Sequence, residues 1–331
     1  MAGGLERALL ERWYGGQAPG LALRALAVLY GSLMRLRRFA YRVGLMRVVH
    51  LPVPVLVVGN RTAGGAGKTP TVIALVHALR ARGWRPGVVS RGHGRQGAEP
   101  RRVDAGSAAA EVGDEPLLIH LATGVVVEVD RDRASAARRL AEAGCDLVIA
   151  DDGLQHLRLG RRVEVEVQDG RGLGNGRVMP AGPLREPRPA RAADFRIVHG
   201  RPTTPGEVPM HLRLGPARRI ASGEFRPLAA FAGVRVHAVA GIGHPPRFFN
   251  ALRDAGLDPV EHPMPDHHAF IADDFARFRD APILMTSKDA VKCRGFGLAE
   301  AWEVPVDAIL PAAFLDALDH QLRTRTADVE P

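Results

Sequence analysis

The sequence predicts an α/β protein whose mostly parallel sheet carries helices on both faces. Short apolar runs alternate with helix-period stretches along most of the chain, which is the pattern of strands joined by helical crossovers. A glycine-rich turn, Gly59-Asn60-Arg61-Thr62-Ala63-Gly64-Gly65-Ala66-Gly67-Lys68-Thr69, joins one such run to a helix. A later run, Leu147-Val148-Ile149-Ala150, ends in the paired carboxylates Asp151 and Asp152.

Residues 1–48 form a basic segment of their own. Arg7, Arg12, Arg24, Arg35, Arg37, Arg38, Arg42 and Arg47 stand against only Glu6 and Glu11, so most of the chain's net charge of +9 lies here. Such a segment points to an anionic partner surface. Leu21, Leu23, Leu26, Leu29, Tyr30, Leu33, Leu36 and Phe39 recur at about helical spacing among these arginines. That pattern fits an amphipathic helix lying in a membrane interface, and equally one packed on its own domain. Glu6 and Glu11 interrupt any secretory signal. The longest uncharged apolar stretch, Ala25 to Met34, falls well short of the roughly 20 residues a bilayer span needs.

The first strand, Val53–Val58, leads through the glycine-rich turn into a helix at Thr71–Arg82. This is the arrangement of a P-loop: glycines let successive N–H groups face phosphate oxygens, Lys68 reaches the outer phosphates, and the Thr69 hydroxyl binds Mg²⁺. The strict motif places Gly five residues before the Gly67-Lys68 pair, and Thr62 occupies that position here. The candidate ATP-binding residues are Thr62, Ala63, Gly64, Gly65, Ala66, Gly67, Lys68 and Thr69.

Strands follow at Gly87–Ser90, Val125–Val129, Leu147–Ala150 and Val163–Val167, with helices at Glu115–Leu121 and Arg133–Ala143. A buried strand ending in Asp151-Asp152 delivers a carboxylate beside the phosphates, where either residue can hold Mg²⁺ directly or through water. Gly113-Asp114-Glu115-Pro116 reads as a helix N-terminus whose acidic residues suit the helix dipole. The segments 151–156 and 169–177 lie just beyond strand ends, where open α/β sheets bind ligands, although turn chemistry also explains them. Residues 180–226, rich in Pro, Gly and Arg, read as loops, short strands and a linker.

A second α/β segment has strands at Val236–Ala240 and Ile283–Thr286 and helices near Pro246–Ala255, Asp273–Arg279 and Ala312–Arg323. The predicted organisation is a basic segment 1–48, a P-loop domain 49–215 and a smaller α/β domain 216–331 that closes over the active site. His262, His267 and His268 do not make a zinc site, because nothing completes a tetrahedral set at conventional spacing. Cys145 and Cys293 are the chain's two cysteines, too few for a disulfide framework, which indicates a reducing compartment. Only three of 45 basic residues are lysines, Lys68, Lys288 and Lys292, and each invites a role that a planar guanidinium would not fill.

VGNRTAGGAGKTP, SRGHGR, GDEP, ADDGLQH, DGRGLGNGRVMPAGPLREP, GIGHPPRFF, PDHHAF and TSKDAVK, taken in that order, resemble the tetraacyldisaccharide 4'-kinase family over roughly residues 20–325. The family's P-loop also carries Thr at the position of Thr62. The resemblance implies transfer of the γ-phosphoryl group of ATP, with Mg²⁺, to the 4'-hydroxyl of an acylated glucosamine disaccharide 1-phosphate. It implies a peripheral protein on the cytoplasmic face of the bacterial inner membrane, in contact with an anionic lipid surface. It makes Asp114 and His267 a catalytic pair for the hydroxyl proton, brought together by domain closure, and adds Glu115 to the metal side with Thr69 and Asp151. It sets Gln155, His156, Asn175 and Arg177 near the sugar headgroup. The sequence departs from the family pattern at His93, where Tyr is expected, and at His244, where Asn is frequent.

Three other readings fit less of the chain. A membrane-associated ATPase switch of the septum-site or partition type carries Lys directly before the paired glycines, where Ala63 stands here. A soluble small-molecule kinase leaves residues 20–42 without a purpose. A nucleic-acid binder lacks a recognition motif, and aromatic residues make up only 5% of the chain.

Overall fold

The computed structural model describes residues 9–187, 192–278 and 280–324. The basic segment forms α1 (Leu21–Arg42), which buries Ala27, Gly31 and Tyr41 and leaves a long apolar side open. Leu21, Leu26, Val28, Leu29, Leu33, Leu36 and Phe39 are all exposed, Leu21 by 81%. Leu23 and Tyr30 of the predicted stripe are half-buried, and the rest of it does not pack on the protein itself. None of the described helices is long and apolar enough to cross a membrane.

The first sheet is built from β1 (Val55–Gly59), β2 (Pro86–Ser90), β3 (Arg101–Val103), β4 (Val127–Val129), β5 (Leu147–Asp151), β6 (Val163–Gln168), β7 (Phe195–His199) and β8 (Glu207–Leu214). Its helices are α2 (Lys68–Ala81), the short α3 (Ala109–Val112), α4 (Asp114–Thr123) and α5 (Arg133–Glu142). β1, β2 and β5 are buried at every position, as the central strands of a parallel sheet covered on both faces must be. One face is filled by Val72, Leu75 and Leu79 of α2 with Leu117 and Ile119 of α4. The other is filled by Ala134, Ala136, Ala137 and Leu140 of α5.

The second sheet contains β9 (Ala217–Arg219), β10 (Phe225–Arg226), β11 (Val236–Ala240), β12 (Pro259–Pro263), β13 (Ile283–Thr286) and β14 (Ala301–Val304). α6 (Pro245–Asp254) packs Phe248, Phe249 and Leu252 on one face, beside Trp302. Phe270, Phe275 and Phe278 cover the other with Cys293 of α7 (Ser287–Cys293).

Three regions differ from the sequence expectation. β7 and β8 occupy the stretch read as loops, short strands and a linker, and rather than linking two domains they extend the first sheet in parallel register. In place of a helix over 273–279 there is a single 3₁₀ turn, Ala272–Phe275, where the Asp274 carboxylate accepts the Ile271 N–H; Arg279 lies outside the described residues. The chain also returns from the second sheet to the first. β15 (Val306–Ile309) pairs antiparallel with β8, and α8 (Ala312–Thr324) sends Phe314, Leu318 and Leu322 into the first core, although 216–331 reads in sequence as one C-terminal unit. The sheet order is therefore β15-β8-β7-β6-β1-β5-β2-β4-β3 among the described residues, with antiparallel strands only at its two edges.

Candidate active site

β1 and β5 are neighbours in register, with Val58 opposite Asp151, so the glycine-rich turn and the strand-end carboxylates leave the sheet side by side. Gly59 has to be glycine, since a Cβ there would sit 2.9 Å from the Leu154 side chain and 3.2 Å from its backbone nitrogen. Asn60, wholly buried, braces the loop: its amide donates to the Gly64 carbonyl at 3.2 Å and its oxygen accepts from Lys68 Nζ at 3.1 Å. Gly67 turns the chain into α2 at φ 87°, leaving the first N–H groups of that helix without intrahelical partners, the usual seat of a phosphate.

Thr62 occupies the missing glycine position at no cost in backbone strain. Residues 183–185 run antiparallel along 61–63, with Ala63 N–H donating to Pro183 O and Arg185 N–H to Arg61 O, both at 2.8 Å. Thr62 bridges Leu184 between these two bonds, in extended backbone that any residue adopts. The positive φ values of the loop fall on Gly64 and Gly67 instead.

The two carboxylates after β5 stand in opposite environments. Asp151 is 1% exposed; Ser90 Oγ donates to its Oδ2 at 3.1 Å, and its Oδ1 is buried with no partner. Burial and the neighbouring Glu115 and Asp152 push this carboxyl up to about 7, against the pull of Lys68 and Arg133. Asp152, at φ 50°, accepts two bonds from Arg185 Nη1 at 2.8 and 2.7 Å and lies 3.6 Å from Lys68 Nζ. Burial opposes its charge, but Lys68 and Arg185 outweigh burial and hold it down at about 2.

Asp114 opens α4 and His267 lies in the loop after β12, 153 residues away, yet His267 Nδ1 meets Asp114 Oδ2 at 3.0 Å. The contact already exists, so no domain closure is needed to bring the two together. Asp114 Oδ1 also accepts the Glu115 N–H at 2.9 Å, so one residue serves as both helix-end acceptor and histidine partner. Lys288 Nζ stands 3.2 Å from His267 Nε2, 3.2 Å from Asp266 Oδ1 and 3.2 Å from Glu115 Oε1. With an ammonium on Nε2, the imidazole proton belongs on Nδ1, where it is donated to Asp114. That hydrogen bond raises the histidine's affinity for a second proton, while burial and Lys288 oppose it. Burial works against the Asp114 carboxylate, but the His267 hydrogen bond and the Lys288 charge hold it below its ordinary value. His93, one of the two family departures, rests edge-on against His267 at 4.9 Å between ring centroids.

The second sheet reaches this position through a close backbone approach. A Cβ on Gly243 would come within 3.0 Å of Gly65 N, so the 241–243 turn rests on the phosphate loop itself. Fully buried Asp289 fixes that turn, accepting from Gly241 N–H at 2.8 Å and Thr286 Oγ1 at 2.7 Å.

The other predicted residues are spread around this centre. Thr69 is the second residue of α2 and half-buried. Gln155 Nε2 donates to Asn60 O and Glu186 Oε1, both at 3.2 Å. His156 has a buried, unpartnered Nε2, and burial together with Arg133 and Arg161 pushes its imidazole down to about 4. Asn175 spends its amide on Ala181 O and the Arg177 N–H, shaping its own turn, and Arg177 is exposed. Sequence reasoning missed Arg61, Ser90, Arg185, Glu186 and the lysine at 288 as site residues. Lys288 carried the one usable signal, as one of three lysines in an arginine-rich chain. Among the described residues no three His, Cys, Asp or Glu side chains are grouped to hold a metal ion by themselves.

Residues 20–323 match the family Tetraacyldisaccharide-1-P 4'-kinase. The tetraacyldisaccharide 4'-kinase of Stenotrophomonas maltophilia is 52% identical over 322 residues, covering 94% of this chain and 95% of that protein. That of Xanthomonas campestris pv. campestris is 49% identical over 340 residues, covering 96% and 97%. Among solved structures, the "apo" form of LpxK from Aquifex aeolicus in complex with ATP superposes with a TM-score of 0.76 at 25% identity, covering 96% of this chain and 98% of that one.

Proposed function

Because the chain belongs to the tetraacyldisaccharide-1-P 4'-kinase family, and is by that membership an ATP-dependent kinase of lipid A biosynthesis, we propose how its residues divide the work of moving the γ-phosphoryl group of ATP to the 4'-hydroxyl of tetraacyldisaccharide 1-phosphate. Phosphoryl transfer demands positioning and charge stabilisation more than covalent chemistry. The loop 62–69 and the start of α2 receive the phosphates, and Lys68, already aimed by Asn60 and Asp152, neutralises charge that grows toward the leaving group.

The observation that carries the mechanism is the Asp114–His267 contact, two residues from two sheets meeting beside a P-loop. Asp114 accepts the proton of the attacking hydroxyl, and His267 orients the carboxylate and shares the charge change. Lys288 keeps His267 in one tautomer by occupying Nε2.

The donor set on the metal side suits Mg²⁺. Asp151 has an unpartnered buried oxygen and a carboxyl raised by burial and by the neighbouring Glu115 and Asp152, whereas Asp152 has both oxygens on Arg185. Asp151, Thr69 and Glu115 would hold the ion, and Asp151 rather than Asp152 would be its direct carboxylate. Mg²⁺ usually takes one or two protein carboxylates and completes its shell with phosphate and water, so a small donor set suffices. When bound, it would neutralise charge on the transferring phosphates.

Gln155, His156, Asn175 and Arg177 line the proposed headgroup side. The exposed apolar stripe of α1, flanked by Arg35, Arg42 and Arg47, is the proposed contact with the anionic cytoplasmic face of the inner membrane. Incubation of the protein with labelled ATP and tetraacyldisaccharide 1-phosphate in detergent micelles tests the activity, and no label in the lipid overturns it. Leu33→Glu with Leu36→Glu should abolish co-sedimentation with anionic liposomes at low salt and raise KM for the lipid more than it lowers kcat. Full co-sedimentation of that variant would remove α1 from the membrane contact.

A further inference from the structure

α1 lies against the phosphate end of the site, and two of its inward side chains reach the segment 183–187 while a third reaches Gln155 after β5. Tyr30 OH donates to the Arg185 carbonyl at 2.6 Å, Arg38 pairs with the Glu186 carboxylate, and Arg37 donates to the Gln155 carbonyl at 3.3 Å. The backbone comes equally close: a Cβ on buried Gly31 would meet Val178 at 3.4 Å and Pro187 at 3.7 Å.

That segment is the strip that backs the phosphate loop. Its backbone pairs with 61–63, its Arg185 side chain holds both oxygens of Asp152, and Asp152 in turn faces Lys68. Glu186 is 4% exposed and gathers three donors from three elements: Arg38 of α1, Arg61 at the entrance of the loop at 3.1 Å, and Gln155 after β5 at 3.2 Å. Arg61 is itself only 7% exposed and pairs further with Glu166 of β6 at 3.0 Å. Buried charges hold position only while every partner stays in place, so each of these contacts constrains the next.

We propose that Tyr30, Gly31 and Arg38 of α1 are positioning residues for phosphoryl transfer, acting through Arg185 and Glu186 on the phosphate loop and Lys68. The outer side of α1 is free to meet lipid while its inner side sets the nucleotide end, so the seating of one helix bears on both substrates. The proposal rests on reading this site as the ATP end of the kinase.

The test uses the full chain in detergent, with a fluorescent ATP analogue for affinity and the micellar kinase assay for kcat and KM. Arg38→Gln should weaken analogue binding and lower kcat at saturating ATP, each about tenfold, a modest share of what misplacement of reacting groups can cost. Arg38→Lys should recover most of the loss. Gly31→Leu, which improves helix propensity but wedges α1 off Val178 and Pro187, should mimic it, and Tyr30→Phe should do so more weakly. Arg24→Gln removes the same charge from the exposed first turn and should leave analogue affinity unchanged. If Arg38→Gln and Gly31→Leu keep analogue affinity and kcat within about twofold of wild type and raise only lipid KM, the inference fails. Should either variant melt early, the other two read the same question. Wild-type protein that binds the analogue but transfers nothing to the lipid would defeat the kinase reading, while the affinity comparisons would still judge this one.

Discussion

The two charged clusters of the site are built in different ways. The phosphate cluster of Lys68, Asp151 and Asp152 arises from two adjacent strands and what directly follows each, so sheet register brings it together and Asn60 and Arg185 steady it within the same half of the molecule. The proton cluster of Asp114, His267 and Lys288 draws on a helix start in the first sheet and on a loop and a helix in the second. Local geometry secures the first, and tertiary docking secures the second. The first should therefore tolerate disturbance of the second sheet, while the second should be lost with it.

Replacing the phosphate cluster's cation should have the largest effect. Lys68→Ala is expected to lower kcat more than about 10³-fold, some 4 kcal/mol of barrier, with an unchanged circular dichroism spectrum. Retention of a tenth of the wild-type rate would overturn the P-loop assignment. On the proton side, Asp114→Ala and His267→Ala should each cost about 10²-fold in kcat, within the range of general base catalysis. The double variant should be hardly worse than the poorer single one, since residues that act as a unit are non-additive. Multiplying losses would mean that Asp114 only ends a helix and His267 only touches substrate.

Lys288→Met should act more gently, lowering kcat about tenfold. Lys288 opposes protonation of His267, so its removal raises the histidine's pKa, and the acid limb of the kcat profile should move to higher pH. An unshifted limb would detach Lys288 from the pair. The smallest effect should be one of stability. The Asp151 carboxyl rises from 3.8 to about 7 in the fold, so the folded state binds that proton more tightly than the unfolded chain. Its contribution to stability is complete below about pH 4 and is lost as pH rises through 7. Nucleotide-free Asp151→Asn should therefore melt a few degrees higher than wild type at pH 8 and stay inactive. A lower Tm at pH 8 would show that the buried carboxylate is satisfied within the fold.

The same contrast decides what could be read in the sequence. β1, the glycine-rich loop, α2 and β5 announce themselves, because buried parallel strands are continuous apolar runs and phosphate loops need glycine. β7 and β8 do not. β8 mixes Glu207, Pro209 and Arg213 into a half-buried pattern near the sheet edge, where polar residues are tolerated and the strand looks like a loop. Asp114 was legible only as a helix end, since nothing local in its sequence points to a histidine 153 residues on; the family resemblance named the partner. Glu186 and Arg185 sit in a proline-rich turn whose charges look solvent-bound until α1 is laid across them.

The return of β15 and α8 to the first sheet bears on how the polypeptide is made. Strand β8 is synthesised long before its partner, and the edge it presents, with the apolar groove later filled by Phe314, Leu318 and Leu322, stays open while residues 215–305 emerge from the ribosome. Domains form as units during synthesis, so the later, inserted body has the chance to fold while the earlier one is still incomplete. A stop codon introduced after residue 305 would thus damage the nucleotide-binding half of the molecule, although every residue of its phosphate loop would have been translated.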